Sequence, residues 1–139
     1  MFKFDNLDVK NKFDSYPFEI KVKMLKLRSL ILNTYNQSNE AESIEECLKW
    51  GEPSYLVKSG STVRIDWKSK NSEFLNIYFN CKSKLVETYR EIYSDELIFE
   101  KNRAILLKVN EVFPEKNLVH CFELAMNYHK IKHLPLLGV

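Results

Sequence analysis

Two strings in this chain carry side chains suited to recognition chemistry. The first is Trp50-Gly51-Glu52-Pro53-Ser54-Tyr55, where a bend shaped by glycine and proline would present an indole, a carboxylate and a phenol close together. Groups with an apolar body and a polar tip suit the wall of a ligand pocket. The same residues also shape and pack ordinary turns. The second string is the alternating run Thr62 to Lys68 with its partner Leu75 to Asn80, in which Arg64 and Asp66 share one strand face, as do Asn76, Tyr78 and Asn80. A guanidinium fork can hold an anion while amides and a phenol orient it. Arg103, at the end of the turn Glu100-Lys101-Asn102-Arg103, supplies a second fork. A solvated face of an antiparallel sheet has the same composition.

Other constellations are thinner. Cys81, following Asn80, could act as a nucleophile with the distant His129 as base, which requires an exposed thiol beside a cation; a cysteine after an apolar strand also reads as a small hydrophobe. His129 and His133 have the i, i+4 spacing of a shared metal site, with His120 further away, but Pro135 stops the helix and no H-E-x-x-H carboxylate accompanies them. No catalytic residue, metal or cofactor is assigned. Lys21, Lys23, Lys26 and Arg28 could touch nucleic-acid phosphates, yet 21 basic against 19 acidic side chains leave a net charge of +2. That is too weak a global field to recruit nucleic acid or an anionic membrane. With glycine only at 51, 60 and 138, no Gly-rich phosphate cradle of the Walker or Rossmann kind is present. Cys47, Cys81 and Cys121 are odd in number and lack C-x-x-C spacing, so reduced cytoplasmic thiols are expected rather than a disulfide framework. No apolar run approaches a membrane span, and Met1 to Lys10, with Asp5 and Asp8, has no export-signal core.

The elements that must position these groups follow from periodicity. The 139 residues suit a single domain, 1–139. After an N-terminal arm with Phe2 and Phe4, the corner Ser15-Tyr16-Pro17 predicts a helix start. Ile20, Met24, Leu27 and Ile31 form its apolar stripe, Lys21, Lys23, Lys26 and Arg28 occupy the other faces, and it ends near Asn33 to Asn36. Gln37 to Glu46 reads as a polar loop whose carboxylates Glu40, Glu42, Glu45 and Glu46 are solvated. Sheet character begins at Ile44, with turns at Gly51-Glu52-Pro53 and Lys58 to Ser61. Val63, Ile65 and Trp67 share a face, as do Leu75, Ile77 and Phe79, and Ser69 to Glu73 joins the two strands as a hairpin. A short helix over Ser83 to Tyr93 with Ser83 as cap, strands at Leu97 to Phe99 and Ala104 to Val109, and asparagine 102 at positive φ between them complete the middle. Leu118, Cys121, Phe122, Ala125 and Tyr128 predict a last helix ending near Lys130. This order predicts an α+β fold of two layers: an antiparallel sheet covered on one face by the N- and C-terminal helices, with a short helix inserted between strands. Arg64, Asp66, Asn76, Tyr78 and Asn80 then lie on the uncovered face. The tail Leu134, Leu136, Leu137 and Val139 either seals the core or forms a contact between copies, giving a monomer or a weak homodimer.

The strings Lys49-Trp50-Gly51-Glu52-Pro53-Ser54-Tyr55, Tyr78-Phe79-Asn80-Cys81, Phe99-Glu100-Lys101-Asn102-Arg103-Ala104 and Ala125-Met126-Asn127-Tyr128-His129 together resemble the YdhG-like family of small bacterial domains of unknown function, from Tyr16 to about Gly138. The resemblance implies a frataxin-like helix, sheet, helix arrangement and no established reaction. Because some relatives have been described as frataxin-like iron chaperones, it also implies iron binding as an alternative. Iron prefers carboxylate oxygen. The first long helix has Glu19 against four cations, so the loop Glu40 to Glu46 would have to substitute. The sequence thus points to a non-enzymatic cytoplasmic module holding a small molecule or peptide segment through Trp50, Glu52, Tyr55, Arg64, Asp66, Tyr78, Asn80 and Arg103, with metal delivery second and a thiol enzyme using Cys81 third.

Overall fold

The computed structural model describes residues 2–38 and 44–139. Helix α1 (Leu7–Asp14) occupies what the sequence suggests is an arm. The Asn6 side chain starts it by accepting from the backbone N–H groups of Asp8 at 3.0 Å and Val9 at 3.2 Å, satisfying donors that the first turn leaves without partners. Val9 and Phe13, one turn apart, are its buried face. Ser15 and Tyr16 form the corner to α2 (Phe18–Asn36), whose expected stripe Ile20, Met24, Leu27 and Ile31 is buried.

Arg28 differs from expectation: it is 2 % exposed. Its guanidinium donates to Glu46 at 2.6 and 3.0 Å and to the carbonyls of Phe2 at 2.8 Å and Lys3 at 3.0 Å, and it lies over the Phe4 ring. Tyr55 also donates to Glu46, at 2.8 Å. Glu46 is therefore no solvated loop carboxylate; it belongs to strand β1 (Glu45–Lys49) and ties the sheet edge to α2. Most of the acidic loop, 39–43, lies outside the described residues.

The remaining strands are β2 (Glu52–Leu56), β3 (Val63–Trp67), β4 (Phe74–Tyr78), β5 (Ile98–Glu100) and β6 (Ala104–Lys108), in the spatial order β1-β2-β3-β4-β6-β5 with every pair antiparallel. Period-2 alternation aims Val63, Ile65, Leu75, Ile77, Ile105 and Leu107 at α2 and at α4 (Glu115–Met126), and all six are buried with Leu118, Phe122 and Ala125. Each such side chain contributes about 1.5–3 kcal/mol by leaving water. Helix α3 (Leu85–Ile92) follows β4, and its Tyr89 packs edge-on against Phe79 and donates to the Cys121 carbonyl. The Ser83 hydroxyl accepts from Leu85 N–H at its start. The chain is thus an α+β fold with an antiparallel sheet and helices packed on it. Among the described residues, no helix is long and apolar enough to cross a membrane.

Two turns differ in detail. Between β5 and β6 the residue at positive φ is Lys101, not Asn102. The final helix is broken: α4 ends at Met126, Asn127 leaves helical geometry, and α5 (Tyr128–Ile131) continues separately. At this point the Asn127 side chain donates to the Glu123 carbonyl at 3.0 Å, and the loop between β2 and β3 docks on the end of α4. Ser61 N–H donates to the Ala125 carbonyl at 2.9 Å, the Ser59 hydroxyl donates to the Met126 carbonyl at 3.0 Å, and His129 N–H returns to the Ser59 carbonyl at 2.9 Å. These bonds take up carbonyls that a helix end leaves free. Beyond α5, Leu137 is buried in the core while Leu136 and Val139 stay exposed, so this part of the tail both seals and projects.

Candidate functional site

The face of the sheet turned away from α2 and α4 carries Glu52, Ser54, Arg64, Asp66, Asn76 and Tyr78, as the register Ser54 opposite Arg64 opposite Tyr78 and Asp66 opposite Asn76 requires. Not all of these groups are reachable. Asp66 is buried, because Tyr16 in the α1–α2 corner donates to it at 2.5 Å, Lys68 sits 2.9 Å away and Lys12 3.7 Å. Asn76 is buried behind it and donates to the Asp66 carbonyl. Asp66 therefore serves as a structural anchor, with only 4 % of its surface exposed. Helix α1 brings Lys12 and Tyr16 onto it, which strand alternation alone does not reveal. Burial first, then the Asp66 carboxylate, pushes the Tyr16 phenol far above its ordinary value, so it stays a neutral donor.

Tyr55 is a second correction. It is 0 % exposed, on the helix-covered side, with its hydroxyl on Glu46. The bend that should have brought it beside Trp50 is placed differently. Strand β2 already begins at Glu52, and Lys49 lies opposite Glu52, leaving Trp50 and Gly51 as a two-residue hairpin loop with φ of 57° and 76°. Positive φ at both positions is the type I′ geometry. Trp50 thus projects from the tip, 89 % exposed, while Tyr55 points into the core.

The other candidates converge. A groove of about 820 Å³ is lined by Trp50, Glu52, Arg64, Tyr78, Asn80 and Arg103, joined by Lys68, Lys82, Tyr128, His129 and Lys132. Glu52 accepts from Arg64 at 3.1 Å and from Lys68 at 3.0 Å, which holds both cations at the groove floor. The Lys68 ammonium and the Arg103 guanidinium lie 5.8 and 5.9 Å from the centre of the Tyr78 ring. Burial works against the Lys68 charge, but hydrogen bonds to Asp66 and Glu52 outweigh it and raise its pKa, so it remains an ammonium. Burial also raises the Tyr78 phenol, partly offset by Lys68. Asn80 turns its side-chain oxygen onto the Lys82 N–H at 2.9 Å and fixes the following loop. Lys84 donates to the Lys132 carbonyl at 2.9 Å and its N–H to the Tyr128 hydroxyl at 3.0 Å, joining that loop to the end of α5.

Lys68 was legible in the sequence, two residues from Asp66 and four from Arg64 on one strand face. Lys82, Tyr128 and Lys132 were not, since their loops meet only in the fold. Cys81 and His129 both line the groove, without a hydrogen bond between their side chains. His133 lies beyond α5, and His120 pairs with the Tyr93 hydroxyl. Among the described residues, no three metal-ligating side chains gather in one place. The arrangement can hold an anion by charge and hydrogen bonds, with aromatic surface beside it.

No protein-family model, no curated protein and no solved structure matches this chain.

Proposed function

We propose that this protein is a non-enzymatic binding module of YdhG-like type, acting in the cytoplasm, that holds a small ligand or a peptide segment through an anionic group in the groove between the Trp50–Gly51 hairpin and the Arg64–Tyr78–Arg103 corner of the sheet. One observation supports it above the rest: the groove walls carry Arg64, Lys68, Lys82, Arg103 and Lys132, an excess of positive charge even after Glu52, Asp66 at 2.9 Å from Lys68 and Glu100 at 3.8 Å from Arg103 are set against them. A concave wall with an excess of one sign focuses the field and raises the local concentration of oppositely charged molecules. The guanidinium groups provide paired donors for a carboxylate or phosphate, and the neutral phenol of Tyr78 orients it. Glu46, which the iron alternative needs, is committed to Arg28 and Tyr55 and lends that alternative no support.

Thermal-shift screening of the wild type against a metabolite library tests the proposal. Anionic compounds should raise the melting temperature. Arg64→Ala should weaken them by roughly tenfold to a hundredfold, the value of a hydrogen bond to a charged group. Trp50→Ala should weaken those that reach the hairpin. A folded wild type that no compound stabilises would remove the proposal.

A further inference from the structure

We infer that the ligand class of this groove is a nucleotide: a planar base stacked on Trp50, with its phosphates held between the two cationic walls. This rests on the proposal that the groove binds an anion, and it comes from two independent features. The first is Trp50 itself. An aromatic residue at the first position of a type I′ loop occupies a left-handed conformation that asparagine or glycine adopts far more easily. At 89 % exposure its ring gains almost nothing from packing in return. A flat apolar face presented at the rim of a cationic groove is a stacking platform of the kind that binds bases.

The second feature is the number and placement of the cations. The whole chain carries only +2, yet five basic side chains and one acidic side chain line this groove. They form two groups. Arg64, Lys68 and Arg103 lie about Tyr78 on the sheet with Glu52, Asp66 and Glu100 as partners, whereas Lys82 and Lys132 line the same groove from segments that Lys84 ties together. Among the described residues no carboxylate pairs with Lys82 or Lys132. One carboxylate would satisfy one group; a chain of phosphates satisfies both. Recognition here relies on side-chain cations instead of backbone amides, which agrees with the absence of a glycine-rich loop. An acidic peptide would account for the cations but leave the indole unused.

The test titrates the full chain, carrying Trp67→Phe so that Trp50 alone reports, with ATP, tripolyphosphate and adenosine, by calorimetry and fluorescence. ATP should quench Trp50 and bind about tenfold tighter than tripolyphosphate, the ratio that one base–aromatic stack supplies. Adenosine should bind far more weakly than either. Trp50→Asn, which suits the turn and keeps the fold, should lower ATP to the tripolyphosphate level and leave tripolyphosphate unchanged. Arg64→Ala and Lys132→Ala should each weaken both phosphates. Equal binding of ATP and tripolyphosphate by the wild type would overturn the nucleotide assignment while leaving an anion-binding groove. Binding of neither would overturn it as well, and the groove proposal falls with it only if the metabolite library is also silent. A short oligodeoxyadenylate that binds where ATP does not would overturn it in favour of a strand-binding path.

Discussion

Replacing Gly60 by alanine adds one methyl group at the point where two distant parts of the chain touch through their backbones. A Cβ at Gly60 would stand 2.8 Å from the Ala125 carbonyl oxygen and equally close to the Met126 Cα and carbonyl oxygen. None of these is the end of a flexible side chain, so the loop or the end of α4 must move. Overpacking of this kind costs about 1–3 kcal/mol. The movement also strains three hydrogen bonds that depend on the approach, from Ser61 N–H, the Ser59 hydroxyl and His129 N–H, each worth about 1 kcal/mol. Gly60→Ala should therefore cost roughly 3 kcal/mol in urea denaturation and lower Tm by roughly 10 °C. Because the same dock sets α5 and hence Tyr128, His129 and Lys132, the folded variant should also bind anions more weakly. Gly51→Ala is the control: there a Cβ meets nothing within 4 Å, and only the left-handed backbone, worth about 1 kcal/mol, is lost. A Gly60→Ala protein within about 0.5 kcal/mol of wild type would refute the claim that this approach shapes the groove wall.

Arg28→Met should destabilise by about 3–5 kcal/mol, because it strands the largely buried Glu46 carboxylate and frees the N-terminal segment; adding Glu46→Gln should recover part of that loss in a double-mutant cycle. Trp50→Asn should stabilise by about 0.5–1 kcal/mol in the same melts, since Asn-Gly is the preferred type I′ pair and the indole is exposed. Burial raises the phenols of Tyr16, Tyr35, Tyr55 and Tyr89 above their ordinary value of 10.0. Their contribution to stability is fully present below pH 10 and is lost as pH rises beyond it, because the unfolded chain then releases protons that the folded chain keeps. Ultraviolet difference absorbance should accordingly show these tyrosines ionising together with alkaline unfolding, and not before it.

Where burial of one face dictates the pattern, the sequence was sufficient. Val63, Ile65, Leu75 and Ile77 alternate strictly and Ile20, Met24, Leu27 and Ile31 recur at helical spacing, so β3, β4 and α2 were legible. Helix α1 was not, since only Val9 and Phe13 are buried in it among polar residues and its clearest signal is the Asn6 cap. Pro53 suggests a turn by its type, yet it lies within β2 opposite Leu48, so the hairpin tip falls earlier, at Trp50 and Gly51. Pairing between β2 and β3 involves only Ser54 and Tyr55, so a missing N–H at Pro53 forgoes no ladder bond to β3. The break at Asn127 combines a local bond from its side chain to the Glu123 carbonyl with contacts from a loop more than sixty residues earlier, which no local pattern announces.

Alternation told which residues share a face, and solvent access obeyed a different rule. Arg64, Asp66, Asn76 and Tyr78 all lie on the side away from the long helices, yet Asp66, held by Tyr16, Lys12 and Lys68, is buried with Asn76 and most of Tyr78 while Arg64 remains partly open. The division follows from the chemistry of the side chains. Short carboxylates and amides near a sheet surface can be covered by longer neighbours, whereas lysine and arginine lay their stems along an aromatic surface and keep their charged ends in water. At this corner of the sheet Asp66 is thereby drawn inward as a counter-charge, while Arg64 and Lys68 keep part of their surface toward the groove. Glu52 marks the boundary: held by Arg64 and Lys68, it neutralises only part of the charge beside Tyr78. A groove whose carboxylates are already engaged and whose walls still carry more cations than anions attracts negative charge from outside, and this local clustering of bases produces it in a chain of nearly balanced composition.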